Sequence, residues 1–133
     1  MTKVIICGAF GRMGTTIAQM VLENPELEFA GGVDIREGEL HGKPVVTSDK
    51  LADFIDSAKP DVMIDFTVAA ATMVNAKIAA EKGQVAQFHA VHHISKGKAG
   101  IWRAERMTAA RPGVAEPATW EEVSREAHLI KTV

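Results

Sequence analysis

The sequence predicts an α/β fold, a Rossmann-like doubly wound parallel sheet. Three observations carry this. An apolar run, Val4 to Cys7, ends in glycines at Gly8, Gly11 and Gly14 and passes into an amphipathic stretch. Short apolar segments then alternate with segments of helical period as far as Gly83. An acidic residue, Asp34, closes the second apolar segment 20 positions beyond Gly14. Alternation of strand and helix in this order is what right-handed crossovers between parallel strands require.

Composition sets the outer bounds. At 133 residues the chain is one domain at most, long enough to bury a real core. Apolar content of 47% with 24% charged residues is that of a globular protein. A net charge of −2 gives no reason to expect nucleic acid or a membrane as partner. The single cysteine, Cys7, excludes an internal disulfide and fits a reducing compartment. Lying in the first strand, it reads as a buried structural thiol. No stretch approaches the roughly 18 apolar residues of a membrane span. The N-terminus passes directly into a strand, leaving no room for a secretion signal, so a cytoplasmic location is expected.

Taken in order, the chain starts with KVIICGAFGRMG, Lys3 to Gly14. A strand, a glycine turn and a helix in that order form a phosphate cradle. The first glycine allows the tight turn, the second lets backbone approach a pyrophosphate, and the third lets helix pack on strand. The helix N-terminus then offers free N–H groups and a positive dipole end to the anion. The spacing is G-x-x-G-x-x-G, a loose match to the generic fingerprint, and glycines at a strand end often mark only a tight turn. The helix is expected over Thr15 to Glu23, with Ile17, Met20, Val21 and Leu22 on its buried face. Asn24-Pro25 ends it.

Leu27 to Val33 reads as the second strand, weakened by Gly31 and Gly32. Asp34 by itself is a solvated aspartate at a strand end. Paired with the cradle at this spacing, it is the carboxylate that takes the hydroxyls of an adenosine ribose. A carboxylate there favours NAD by repelling a 2′-phosphate, while Arg36 works the other way, so the choice between NAD and NADP stays open. Glu37 to Pro44 is expected as a polar loop and Val45 to Thr47 as a short strand. Ser48 is the expected N-cap of a helix through Ala58, with Leu51, Phe54 and Ile55 inward. Val62 to Phe66 forms the third strand. Asp65 and Thr67 stand at its end, where ligands of open parallel sheets gather. A helix over Thr72 to Lys82 stops at Gly83.

Three stretches together, V-x-x-x-G-A-x-G-R-M-G at Val4 to Gly14, the acidic Asp34, and D-V-x-I-D-F-T at Asp61 to Thr67, resemble dihydrodipicolinate reductase (4-hydroxy-tetrahydrodipicolinate reductase) over the first 83 positions. The resemblance implies NAD(P)H-dependent reduction of the cyclic imine 4-hydroxy-tetrahydrodipicolinate to tetrahydrodipicolinate, a step of lysine and diaminopimelate biosynthesis. It also implies that Gly8, Ala9, Phe10, Gly11, Arg12 and Met13 hold the pyrophosphate ahead of Gly14, with Arg12 near the adenosine phosphate. Asp34 takes the ribose, and Phe66 and Thr67 lie beside the nicotinamide. The family's proline shortly after F-T is replaced by Val68-Ala69-Ala70-Ala71.

From Gln84 the pattern departs. The family's G-T-T-G loop is missing, and the 50 remaining residues are too few for its substrate domain. His92-His93-Ile94-Ser95-Lys96 has the family's H-H-x-x-K spacing, suited to protonating a reduced imine. It arrives too early and lacks the following D-x-P-S-G-T, so coincidence is the better reading and no catalytic residue is assigned. His89, His92 and His93 have no carboxylate or cysteine nearby in sequence, which argues against a metal site. The expected organisation is a dinucleotide-binding domain over 1–83, lacking the family's second domain, and a divergent tail over 84–133. That tail is expected to be poorly ordered or to form short helices, one of them over Trp120 to Ile130. A slip of reading frame near Gln84 is the hypothesis that would explain the change of pattern, and a true short protein is the alternative; the coding DNA after the Gly83 codon decides between them. Three functions compete: a reductase needing a supplied substrate domain, a non-catalytic cofactor-binding module, and a fragment without function.

Overall fold

The computed structural model describes residues 1–95, 98–105 and 128–131. Its first strand, β1 (Thr2–Cys7), lies at the centre of the sheet. Val4 to Cys7 are all buried, as in a strand covered on both faces. Ile5 and Cys7 join one apolar cluster, Val4 and Ile6 the other, so the two-residue period divides the run between two layers.

The helix α1 (Arg12–Glu23) packs on the Val4/Ile6 side through Ala18 and Val21. It begins three residues before the expected Thr15, so Gly14 lies inside its first turn. Met20 and Leu22, expected inward, are exposed. The buried stripe runs through Gly14, Ala18 and Val21 instead, because small residues bring this helix close to the sheet.

Strand β2 (Leu27–Val33) pairs parallel to β1. The register slips between Val4↔Phe29 and Ile5↔Gly31, so Ala30 is the extra residue of a bulge. The glycines expected to weaken this strand are what the crowding demands. A Cβ on Gly31 would lie 2.4 Å from the Pro44 carbonyl oxygen, and one on Gly32 would lie 2.4 Å from the Ala9 Cβ.

The expected polar loop over Glu37 to Pro44 is a hairpin, β3 (Gly38–Leu40) against β4 (Lys43–Val46), turning at His41 and Gly42. A single 3-10 turn (Ser48–Lys50) precedes α2 (Leu51–Ala58). Ser48 caps neither: its hydroxyl donates to Asn75 Oδ1 at 2.9 Å. Leu51, Phe54 and Ile55 face inward as expected.

Strand β5 (Val62–Asp65) pairs with β1 on the side opposite β2, and α3 (Ala69–Lys82) follows, ending at Gly83 with φ 69. Residues of α2 and α3 share the cluster on the Ile5/Cys7 side, so α1 and these two helices cover opposite faces. The chain therefore winds both ways from β1, and the crossover directions part between β1 and β5.

The described part of the tail is strand and not helix. β6 (Gln87–Ser95) runs parallel to β5, and β7 (Lys98–Glu105) and β8 (His128–Lys131) follow antiparallel. Phe88 and Ala90 are buried beside α3 and alternate with Gln87 and His89, which supplies the two-residue period of a half-buried strand. Of the helix expected over Trp120 to Ile130, the last three positions belong to β8, and the remainder lies outside the described residues. Strand order is β3-β4-β2-β1-β5-β6-β7-β8, five parallel strands with antiparallel additions at both ends.

Candidate functional site

The C-terminal ends of β1, β2 and β5 open into a cleft of about 860 Å³. Its floor is the β1–α1 turn. Gly8 holds φ +83, a backbone conformation that side chains disfavour. Its N–H donates to the Val33 carbonyl at 2.7 Å, tying the turn to β2. Gly14 has no room for a side chain, since its Cβ would lie 2.0 Å from the Gly8 carbonyl oxygen. The three glycines thus let α1 start directly against the end of β1. Gly11 occupies the N-cap position, and no side chain caps the helix. The first N–H groups of α1 have no partner within the helix and are available to an anion.

Asp34 stands at the end of β2. Its Oδ2 accepts the Phe10 N–H at 2.8 Å and its Oδ1 accepts the Ile35 N–H at 2.7 Å. A carboxylate has about four lone-pair positions, so each oxygen retains capacity for a further donor. Asp34 thereby both fixes the glycine turn and offers acceptors to the cleft. Arg36 lies with its guanidinium carbon 4.3 Å from the centre of the Phe10 ring, a cation–π contact at the same end.

At the opposite end, the Phe66 N–H donates to the Cys7 carbonyl at 3.0 Å, extending the β1–β5 pairing by one residue. Phe66 and Thr67 then turn close to Gly8, whose Cβ position lies 3.4 Å from the Phe66 carbonyl carbon. Asp65 is wholly buried beneath this turn. Next to it in the sheet, Cys7 is buried too, and burial, Asp65 and Asp34 together push its thiol well above its ordinary value.

Of the ten residues singled out in the sequence, Gly8, Phe10, Gly11, Arg12, Met13, Gly14, Asp34, Phe66 and Thr67 line this one cleft. Ala9 does not. It is fully buried, packed where Gly32 passes, so it acts on the cleft only by seating the turn. Sequence reasoning missed Thr47, Ser48, Val68 and Asn75, which also line the cleft. Ser48 and Asn75 sit 27 positions apart and meet only through the packing of α2 on α3, so no local pattern marks them. Of the H-H-x-x-K fragment, His92 and His93 lie in β6, and Lys96 lies outside the described residues. Among the described residues no group of His, Cys, Asp and Glu is arranged to hold a metal ion.

Residues 2–86 match the family model described as dihydrodipicolinate reductase, N-terminus. The 4-hydroxy-tetrahydrodipicolinate reductase of Methanocorpusculum labreanum is 80% identical over 83 residues, covering 62% of this chain and 33% of that one. The enzyme of the same name from Methanospirillum hungatei is 58% identical over the same shares. The chain thus spans about a third of the length of the curated relatives it matches. Among solved structures, RSP, a Rex-family repressor, in complex with β-NADH superposes with a TM-score of 0.60 at 22% identity, over 71% of this chain and 47% of that one. The dipicolinate-bound dihydrodipicolinate reductase of Paenisporosarcina sp. TG-14 gives a TM-score of 0.53 at 22% identity, over 64% and 35%. Through residues 2–86, with their glycine turn and the D-F-T strand end, this chain belongs to the dihydrodipicolinate reductase family.

Proposed function

We propose that this chain binds a nicotinamide dinucleotide across the ends of β2, β1 and β5. The observation that carries the reading is the juxtaposition of an uncapped helix start, three glycines and the Asp34 carboxylate along one cleft. The pyrophosphate takes the backbone N–H groups at the start of α1, with Arg12 as a countercharge at the rim. The adenosine ribose hydroxyls donate to the spare lone pairs of Asp34. The nicotinamide half then extends toward Phe66 and Thr67, because β5 lies on the far side of β1 from β2.

When bound, the reduced cofactor supplies a hydride. In the complete reductase the acceptor is the cyclic imine 4-hydroxy-tetrahydrodipicolinate, and the chain's own contribution is to hold and orient the donor. No catalytic group is assigned among these 133 residues, so the activity proposed for them is cofactor binding. Asp34 favours NADH, with Arg36 able to accept a 2′-phosphate, so both cofactors are within reach of the site. The single cysteine fits a reducing compartment, and the proposed place of action is the cytoplasm.

Titration of the purified chain with NADH and NADPH, followed by calorimetry and by thermal melting, tests this. Bound ligand raises the melting temperature by mass action, with about 2.7 kcal/mol of stabilisation at a hundred times Kd. A folded sample that binds neither cofactor at millimolar concentration refutes the proposal.

A further inference from the structure

The buried Asp65 has no contact in the cofactor scheme above, yet it organises one wall of the cleft. Its Oδ1 accepts the Thr67 N–H at 2.7 Å, the Thr67 hydroxyl at 2.5 Å and the Thr72 hydroxyl at 2.8 Å. Its Oδ2 accepts the Asn75 side-chain amide at 3.2 Å. Asn75 in turn accepts the Ser48 hydroxyl on its Oδ1. A carboxylate only accepts, so the direction of every bond in this chain follows from it. Asn75 must turn its nitrogen to Asp65 and its oxygen to Ser48. Ser48 and Thr67 must spend their hydroxyl hydrogens inward.

Ser48, Thr67 and Asn75 all line the cleft. With their hydrogens given to Asn75 and Asp65, the two hydroxyl oxygens keep lone pairs and have no hydrogen to give. Asp65 also holds the Thr67 N–H, which keeps the Phe66–Thr67 turn seated beside Gly8. Resting on the dinucleotide reading above, we propose that Asp65 is a positioning residue that makes this wall an acceptor surface, which takes a hydrogen-bond donor from the nicotinamide half of the ligand. Two groups of that half have the required chemistry, the carboxamide NH₂ and the ribose hydroxyls.

The test uses the 133-residue protein and calorimetric Kd values for NADH, ADP-ribose, ADP and reduced 3-acetylpyridine adenine dinucleotide, in which a methyl ketone replaces the carboxamide. Thr67→Val deletes the accepting oxygen at nearly constant shape. It is expected to weaken NADH about three- to tenfold, the effect of one hydrogen bond, and to leave ADP unchanged. Thr67→Ser restores most of the loss. Asp65→Ala removes the acceptor of the Thr67 N–H, both threonine hydroxyls and the Asn75 amide, so it weakens NADH at least as much, again sparing ADP. Should Asp65→Ala fail to fold, the Thr67 pair decides.

The ligand arms separate the two donors. If the carboxamide is taken, the acetylpyridine analogue binds wild type three- to tenfold more weakly than NADH and is indifferent to Thr67→Val. If ribose hydroxyls are taken, the analogue follows NADH and ADP-ribose shows the Thr67→Val loss. Thr67→Val binding NADH as well as wild type, or losing ADP to the same degree, overturns the proposal while leaving the dinucleotide reading intact. Wild type that binds none of the four ligands, ADP included, overturns both.

Discussion

Replacing Gly14 with alanine puts a methyl group where the β1–α1 turn already stands. The new Cβ lies 2.0 Å from the Gly8 carbonyl oxygen, 2.8 Å from the Gly8 carbonyl carbon and 3.0 Å from the Ala9 Cα. Ordinary contact begins at 3.4 Å, so helix and turn must separate by about 1.4 Å. None of these neighbours is a flexible side chain, which puts the cost near the top of the about 1–3 kcal/mol range for overpacking. Alanine in a helix returns about 1 kcal/mol relative to glycine. The net expectation is about 2 kcal/mol of destabilisation, a fall in Tm of about 8 °C for a chain of this size. Gly42→Ala is the control. Gly42 holds φ +76 with nothing within 4 Å of its Cβ position, so it suffers only the left-handed penalty of about 1–2 kcal/mol. Both variants lose stability, and NADH affinity separates them: Gly14→Ala displaces the helix start from the pyrophosphate, while Gly42→Ala is remote from it. Gly14→Ala melting within about 2 °C of wild type with an unchanged NADH Kd would show that the close approach of helix to turn does not build the site.

Two other perturbations probe the same architecture. The Cys7 thiol is pushed up by burial first, then by Asp65 and Asp34. Its value in the folded chain lies above the unfolded value of about 9, so its contribution to stability is complete below that pH and is lost as pH rises through the folded value. Urea denaturation should therefore show wild type losing more stability between pH 8 and about pH 10.5 than Cys7→Ala does; parallel losses in the two proteins would count against a buried, proton-retaining thiol. Asp34→Ala removes both the acceptor of the Phe10 N–H and the proposed ribose contact. NADH affinity is expected to drop about tenfold, with NADPH losing less because a repelling charge is gone. Equal losses for the two cofactors would argue against Asp34 as the ribose carboxylate.

Local pattern carried a large part of this fold. Val4 to Cys7 reads as a doubly buried strand because four apolar residues in a row satisfy both faces of a sheet. Leu27 to Val33 matches β2 residue for residue, and Gly83 ends α3 in a left-handed conformation as its position suggests. The hairpin at β3 and β4 was hidden because its exposed strands carry Glu39, Lys43 and Pro44, residues equally at home in a loop. Met20 and Leu22 were misplaced because helical period does not reveal how wide a buried stripe is, and small residues narrowed it here. The strands of the tail were obscured by histidines and glutamine in β6, a strand whose only described buried side chains, Phe88 and Ala90, alternate over a short stretch.

By itself the sequence determined the winding of strand and helix around β1, the glycine turn, the carboxylate after β2 and the family to which the chain belongs. These are properties of neighbouring residues and fixed spacings, so they survive being read one stretch at a time. Packing of whole elements fixed that Gly31 and Gly32 are glycines because the chain passes Pro44 and Ala9 at contact distance, that Ser48 serves Asn75 and not a helix end, and that Asp65 gathers donors from the turn after β5 and from α3. The glycine and Ser48 contacts join stretches well separated in the chain, and the Asp65 contacts depend on how the turn after β5 folds back under the start of α3, which no local pattern displays.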